Sequence, residues 1–246
     1  MLSSLRDHPF AVKALFRSSL VLTFAVPCEE LQSFLPDCLT LDTLHDKWAF
    51  IAVALVDTTS LRPKGFPSFL GNDFFLIGYR IFVRYASENG KSLRGLYILK
   101  SETDKKKMEL LGNIFTHYSY STTDIEHIQS GDHISVRSVA SGLRIEVETH
   151  TGEFALPVGS PFADWKEARK YAGPLPNTFT YDTVKKEVLI IEGLRHNWKP
   201  DPVRVLNYDI PFLKTLNLQT AILANAFIIR DVPYEWKKGR KEKWQP

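Results

Sequence analysis

The run Phe74–Tyr85 limits the possible folds of this chain more than any other stretch. Its odd positions, Phe75, Ile77, Tyr79, Ile81, Val83 and Tyr85, are all bulky and apolar or aromatic. Its even positions, Phe74, Leu76, Gly78, Arg80, Phe82 and Arg84, are mostly apolar as well. A strand with one wet face alternates cleanly between polar and apolar residues. This one does not, so protein must cover it on both sides. Trp48–Val56 reads the same way. Arg80 then falls on the face that carries Phe74, Leu76 and Phe82. An isolated buried charge is very costly, so that arginine must be ion-paired, extend its head to water, or meet an anionic ligand.

The residues after this strand extend the argument. A tight turn at Glu88-Asn89-Gly90-Lys91 leads to a second strand, Leu93–Ser101, a helix, Asp104–Ile114, and the hydroxyl-rich segment Phe115–Tyr120. Together they are expected to form the wall and floor of a ligand cavity. Upstream, residues 1–19 read as a helical or irregular lead-in, Ser19–Val26 as a strand, Cys28–Leu35 as a short helix ended by Pro36, and Leu39–Leu44 as an edge strand.

Downstream, 121–131 is polar, and a hairpin joins His133–Ala140 to Leu143–His150 at Ser141-Gly142. Phe162–Tyr171 is a helix closed by Gly173-Pro174. Strands are expected at Asn177–Thr183, Glu187–His196, Pro202–Tyr208 and Thr220–Arg230, with a short helix at Asp209–Leu216. About ten strands and four helices, with hairpins dominating, argue for an α+β, β-rich architecture with a curved or closed antiparallel sheet.

Two segments stand apart. Thr58–Asn72, with Arg62, Lys64, Phe66 and Phe69, is longer than an ordinary connection and reads as a binding loop or lid, or else a surface excursion. Residues 1–233 form one domain. The basic tail 234–246 is expected to be solvated and mobile, the alternative being contact with an acidic partner or nucleic acid.

Length and composition exclude several function classes. With 246 residues and 44% hydrophobic content the chain can bury a sizeable core. A net charge of +3 is too small for a dedicated nucleic-acid partner. Cys28 and Cys38 make no disulfide framework, no apolar run reaches membrane-spanning length, and the N-terminus lacks a signal-peptide core. A cytoplasmic protein is the expectation.

No nucleophile elbow, H-E-x-x-H helix, dinucleotide fingerprint or phosphate loop is present, and the seven histidines are scattered. Neither a metal nor a cofactor is expected. Two polar clusters remain. In Thr116-His117-Tyr118-Ser119-Tyr120, His117 has the chemistry of a general acid or base, although an alternating strand is the favoured explanation of the pattern. Arg195-His196-Asn197-Trp198 reads as a packed strand end.

The order of Leu31-x-x-Phe-Leu-Pro36, Leu41-Asp42, the strand at Trp48, Arg80-Ile-Phe-Val83, Arg94-Gly-Leu-Tyr-Ile-Leu-Lys-Ser101 and Arg195-His-Asn-Trp198 resembles an uncharacterised branch of the acetoacetate decarboxylase-like superfamily. The resemblance covers roughly residues 15–209. It implies a cone-shaped β-barrel with peripheral helices, an interior cavity and frequent oligomers.

In the decarboxylases proper, a lysine with a neighbouring lysine forms a Schiff base, and a glutamate assists. Here the corresponding positions read Phe115-Thr-His-Tyr118 and Leu76, which removes that chemistry. The leading expectation is a cavity binding a small anionic or carbonyl-bearing molecule. Arg80 supplies charge, Tyr118 and Tyr120 polar contacts, Phe74, Phe82 and Phe115 apolar walls, and His117 any cofactor-free, lyase-like proton transfer. The competing reading is a structural or interaction module with a filled core.

Overall fold

The computed structural model describes residues 2–149, 154–173, 175–196 and 198–245. A 3₁₀ segment, Leu2–Asp7, leads into β1 (Val12–Pro27). A single helical turn, α1 (Cys28–Leu31), and the edge strand β2 (Leu39–Leu41) follow, and then the long strands β3 (Trp48–Pro63), β4 (Asn72–Ala86) and β5 (Ser92–Thr103). Helix α2 (Lys106–Phe115) precedes β6 (Tyr120–Thr122), β7 (Ile125–Ser130), β8 (His133–Ser138) and β9 (Arg144–Glu148). After the turn α3 (Trp165–Ala168) come β10 (Asn177–Asp182), β11 (Glu187–Arg195), β12 (Asp201–Pro202) and β13 (Arg204–Asp209). The turn α4 (Pro211–Thr215), the long β14 (Ile222–Trp236) and β15 (Arg240–Lys243) complete the chain.

The main sheet closes on itself. Strands follow the order β14-β1-β3-β4-β5-β10-β11, and β11 returns to β14 through Gly193 opposite Trp236 and Arg195 opposite Tyr234. Every pairing in this ring is antiparallel except β5 with β10. A second, four-stranded sheet runs β13-β9-β8-β7. This is the expected strongly curved, closed β-structure, and it explains why β3 and β4 lack a polar face.

The odd positions of β4 pack in one core cluster with Ile134, Val136, Ile145 and Val147 of the small sheet. On the opposite face, Phe82 joins Phe50, Phe162 and Tyr171 in a second cluster. Phe82 and Tyr79 are essentially inaccessible, and a fully buried side chain of this kind contributes roughly 1.5–3 kcal/mol.

A buried carboxylate fixes the edge of the ring. Asp42, 0% exposed, accepts from Arg84 Nε at 2.8 Å and pairs with Arg94, while its backbone N–H donates to Phe82 O at 3.0 Å. Arg94 in turn stacks over the Tyr171 ring, 4.7 Å from its centroid.

Several boundaries differ from expectation. β1 begins at Val12 rather than Ser19, because residues 12–18 pair with both β3 and β14. The polar stretch after β6 contains β7, an edge strand of the small sheet. The helix expected over 162–171 shrinks to one α turn, capped by Asp164 Oδ1 accepting from Glu167 N at 2.7 Å, plus a 3₁₀ turn.

The loop Thr58–Asn72 is half strand. Thr58 pairs with Phe74 and Leu61 with Asn72, around an irregularity at Ser60, whose φ is +58°. The tail is not free. Tyr234–Trp236 extend β14, and Arg240–Lys243 pair with β11. Glu242 is buried, accepting from Ser87 Oγ at 2.7 Å and Glu88 N at 2.9 Å, and Trp244 packs edge-on against Tyr181. Expectations at Met1, His150, Pro174, Asn197 and Pro246 lie outside the described residues.

Candidate functional site

A cavity of about 330 Å³ lies inside the ring, lined by residues from β1, β3, β4, β5, β10 and β14, with α2, the segment that runs from it into β6, and His8 and Phe10 ahead of β1 contributing most of the rest. Its size falls at the lower end of small-molecule sites. Phe74, Leu76, Ile98, Met108, Leu111 and Phe115 make its walls predominantly apolar. No lysine and no carboxylate lines it among the described residues.

Arg80 stands out in this lining. Because β4 side chains alternate, Phe74, Leu76 and Arg80 all point to the ring interior. The guanidinium folds back over Gly78, where an added Cβ would come within 2.8 Å of Nε and 2.9 Å of Nη2. Only glycine leaves that berth open. Arg80 keeps some accessible surface because it lines the cavity, yet its Nε is buried and has no hydrogen-bonding partner.

Among the described residues Arg80 makes no ion pair, in contrast to Arg84 four positions along, which is held by Asp42. Burial lowers its pKa, opposed by Tyr120, Tyr234 and Tyr118. Those tyrosines do not neutralise it. Burial holds Tyr118 and Tyr234 above the ordinary phenol range and pushes Tyr120 up to about 12, so all three are uncharged at neutral pH.

The tyrosines are themselves rigidly placed. Tyr118 Oη lies 2.6 Å from Thr178 Oγ1 on β10. Tyr120 is clamped by Asn113, which accepts from its N–H and donates to its carbonyl, each at 2.9 Å. Its ring lies against Gly112 of α2, where a Cβ would come within 2.4 Å of the ring. Tyr234 stacks on Phe16 with ring centroids 4.8 Å apart.

Arg80, Tyr118, Tyr120, Phe74 and Phe115 therefore meet at one cavity. Phe82 does not reach it and lies in the core behind. His117 points elsewhere, because the chain alternates from Thr116 to Tyr118 and both of those neighbours line the cavity. His117 sits in a separate depression of about 260 Å³, its Nε2 3.4 Å from Asp7 Oδ1, beside Lys241 and Glu187.

His8, Ser19, Ser101, Thr178 and Tyr234 line the cavity without having stood out in the sequence, and Arg62 of the segment Thr58–Asn72 joins them. Arg62 is already occupied, donating to Phe66 O at 2.9 Å and Ser60 O at 2.7 Å. Among the described residues no cluster of three or more His, Cys, Asp or Glu side chains could hold a metal, and no helix is long and apolar enough to cross a membrane.

Residues 13–238 match the family DUF2071, described as uncharacterized conserved protein (COG2071). No curated protein is similar enough in sequence to match. Among solved structures, acetoacetate decarboxylase from Legionella pneumophila subsp. pneumophila str. Philadelphia 1 superposes with a TM-score of 0.63 at 9% identity, over 95% of this chain and 88% of that one. An acetoacetate decarboxylase-like enzyme from Sphingomonas wittichii RW1 gives 0.61 at 11% identity, over 97% and 94%. The enduracididine biosynthesis enzyme MppR, complexed with pyruvate, gives 0.54 at 9% identity, over 95% and 90%. Likeness at such identity establishes the fold and not the activity.

Proposed function

Because this chain belongs to the DUF2071 family and has the acetoacetate decarboxylase-like fold, we propose that its cavity binds a small anionic or carbonyl-bearing molecule without Schiff-base decarboxylase chemistry. The observation that carries the reading is Arg80, a buried cation with an unsatisfied Nε and, among the described residues, no counter-charge, lining an apolar cavity. A protein tolerates such a group at considerable cost unless an anion completes it. A carboxylate is the anion best matched to a guanidinium, from which it can take two parallel N–H···O bonds. The capture of pyruvate by a structural relative, MppR, is in keeping with a small oxo acid in this fold.

The residues argue equally for what the cavity does not do. With no lysine in the lining among the described residues, no amine is there to condense with a ketone, and Leu76 offers no carboxylate to assist. Proton transfer is the chemistry open to a lining of arginine, tyrosines and histidine. A module with a filled core is disfavoured by the volume itself, which solid packing would have closed. The test is calorimetric titration with a panel of short carboxylic and keto acids against the wild type and Arg80→Met. Binding to the wild type that weakens at least about tenfold in the variant is expected. Equal affinity for both proteins would overturn the proposal.

A further inference from the structure

His8 is the second unsatisfied polar side chain of the cavity. The residue is 7% exposed, lines the cavity, and has a buried Nε2 without a hydrogen-bonding partner. The residue is held firmly. Its N–H donates to Phe115 O at 3.2 Å, and its carbonyl accepts from Gly239 N at 2.9 Å. A backbone φ of +54° is one that non-glycine residues rarely adopt, so the surrounding contacts impose it. The neighbouring carboxylate does not orient the ring, because Asp7 faces His117 and Lys241 instead. Burial lowers the imidazole pKa to about 4, which keeps the ring neutral at physiological pH.

We infer that His8 is a ligand-binding, specificity-determining residue that hydrogen-bonds an uncharged oxygen of the molecule whose anionic end meets Arg80. This rests on the proposed anion site and narrows the ligand class. A neutral imidazole carries one donor and one acceptor and no charge, so it complements a hydroxyl or keto oxygen and not a second carboxylate. Arg62, the other cation in the lining, is already committed to Ser60 and Phe66. A dianion would leave one charge unpaired against apolar walls. The cavity therefore favours a monocarboxylic acid bearing one hydroxyl or keto oxygen, with a hydrocarbon remainder against Phe74, Leu76 and Ile98.

The test uses the full chain with hexanoate, its alpha- and beta-hydroxy and alpha-oxo derivatives, and adipate, against the wild type and His8→Phe. In the wild type the best oxygenated monoacid should bind about five- to tenfold more tightly than hexanoate, the worth of one neutral hydrogen bond, and adipate should bind more weakly than hexanoate. In His8→Phe that preference should vanish. Nitrogen-15 NMR of the wild-type histidines reads the same contact without a variant. The His8 ring signals should move with the oxygenated acid and stay in place with hexanoate. Acids that bind without preference, a preference that survives in His8→Phe, or unmoved His8 signals would overturn the role of His8 while leaving the anion site intact. Failure of every acid to bind the wild type would overturn both.

Discussion

If Arg80 is retained for a ligand, removing it should make the empty protein more stable. Arg80→Met keeps most of the methylene stem beside Gly78 and deletes a guanidinium whose Nε is buried without a partner. A buried unsatisfied donor costs about 1–3 kcal/mol, more when charged. Replacing buried ionic groups by apolar side chains of similar volume is neutral to stabilising by about 1–4 kcal/mol. The expected gain is about 1–3 kcal/mol. At roughly 2–4 °C per kcal/mol for a domain of this size, the melting temperature should rise by several degrees.

Arg84→Met is the control on the same strand. Arg84 pairs with the buried Asp42 and is itself 45% exposed, so its loss should destabilise by about 1 kcal/mol. Urea unfolding of ligand-free protein decides the matter, since bound ligand would mask the difference by mass action. A loss of more than about 1 kcal/mol in Arg80→Met would refute the reasoning, because it would make the guanidinium a structural partner.

Gly78→Ala should leave stability nearly unchanged, since the clash is with the movable end of Arg80, yet weaken acid binding about tenfold in titration by displacing the guanidinium. His8 makes stability depend on pH. The unfolded histidine titrates near 6.5 and the folded one at about 4, so acid favours the unfolded chain, which takes up a proton the folded one refuses. The contribution should be intact above about pH 6.5 and fall by about 3 kcal/mol (2.5 × 1.36) as the pH approaches 4. His8→Phe should flatten that part of the urea-midpoint profile. Glu242→Ala removes the acceptor for Ser87 and Glu88 and should cost about 2–3 kcal/mol, with faster proteolysis after residue 236.

The fold was legible where local pattern and burial agree. The double-sided apolar pattern of β4 announced a covered sheet, and Arg80 stood out because it broke that pattern. His8 carried no such signal. Its burial comes from closure between the start of the chain, the end of α2 and the turn at Gly239, contacts that no window of sequence contains. The residue type of His117 suggested chemistry. Strand-like alternation, visible in the sequence, already set it on the opposite side from Thr116 and Tyr118. The basic tail read as solvated because Arg240, Lys241 and Lys243 are exposed, yet Glu242 between them is buried against Ser87, a tertiary contact that outweighs composition. Thr58–Pro63 looked like loop for the same reason, since only pairing with Phe74 and Asn72 makes it strand.

The most direct test of the central claim is native mass spectrometry of gently purified protein, followed by mild denaturation to release whatever the cavity carries. A small acid released from the wild type, and an empty Arg80→Met protein prepared in parallel, are the expected results. An identical ligand load in both, or an empty wild type whose stability no carboxylic or keto acid alters, would contradict the claim.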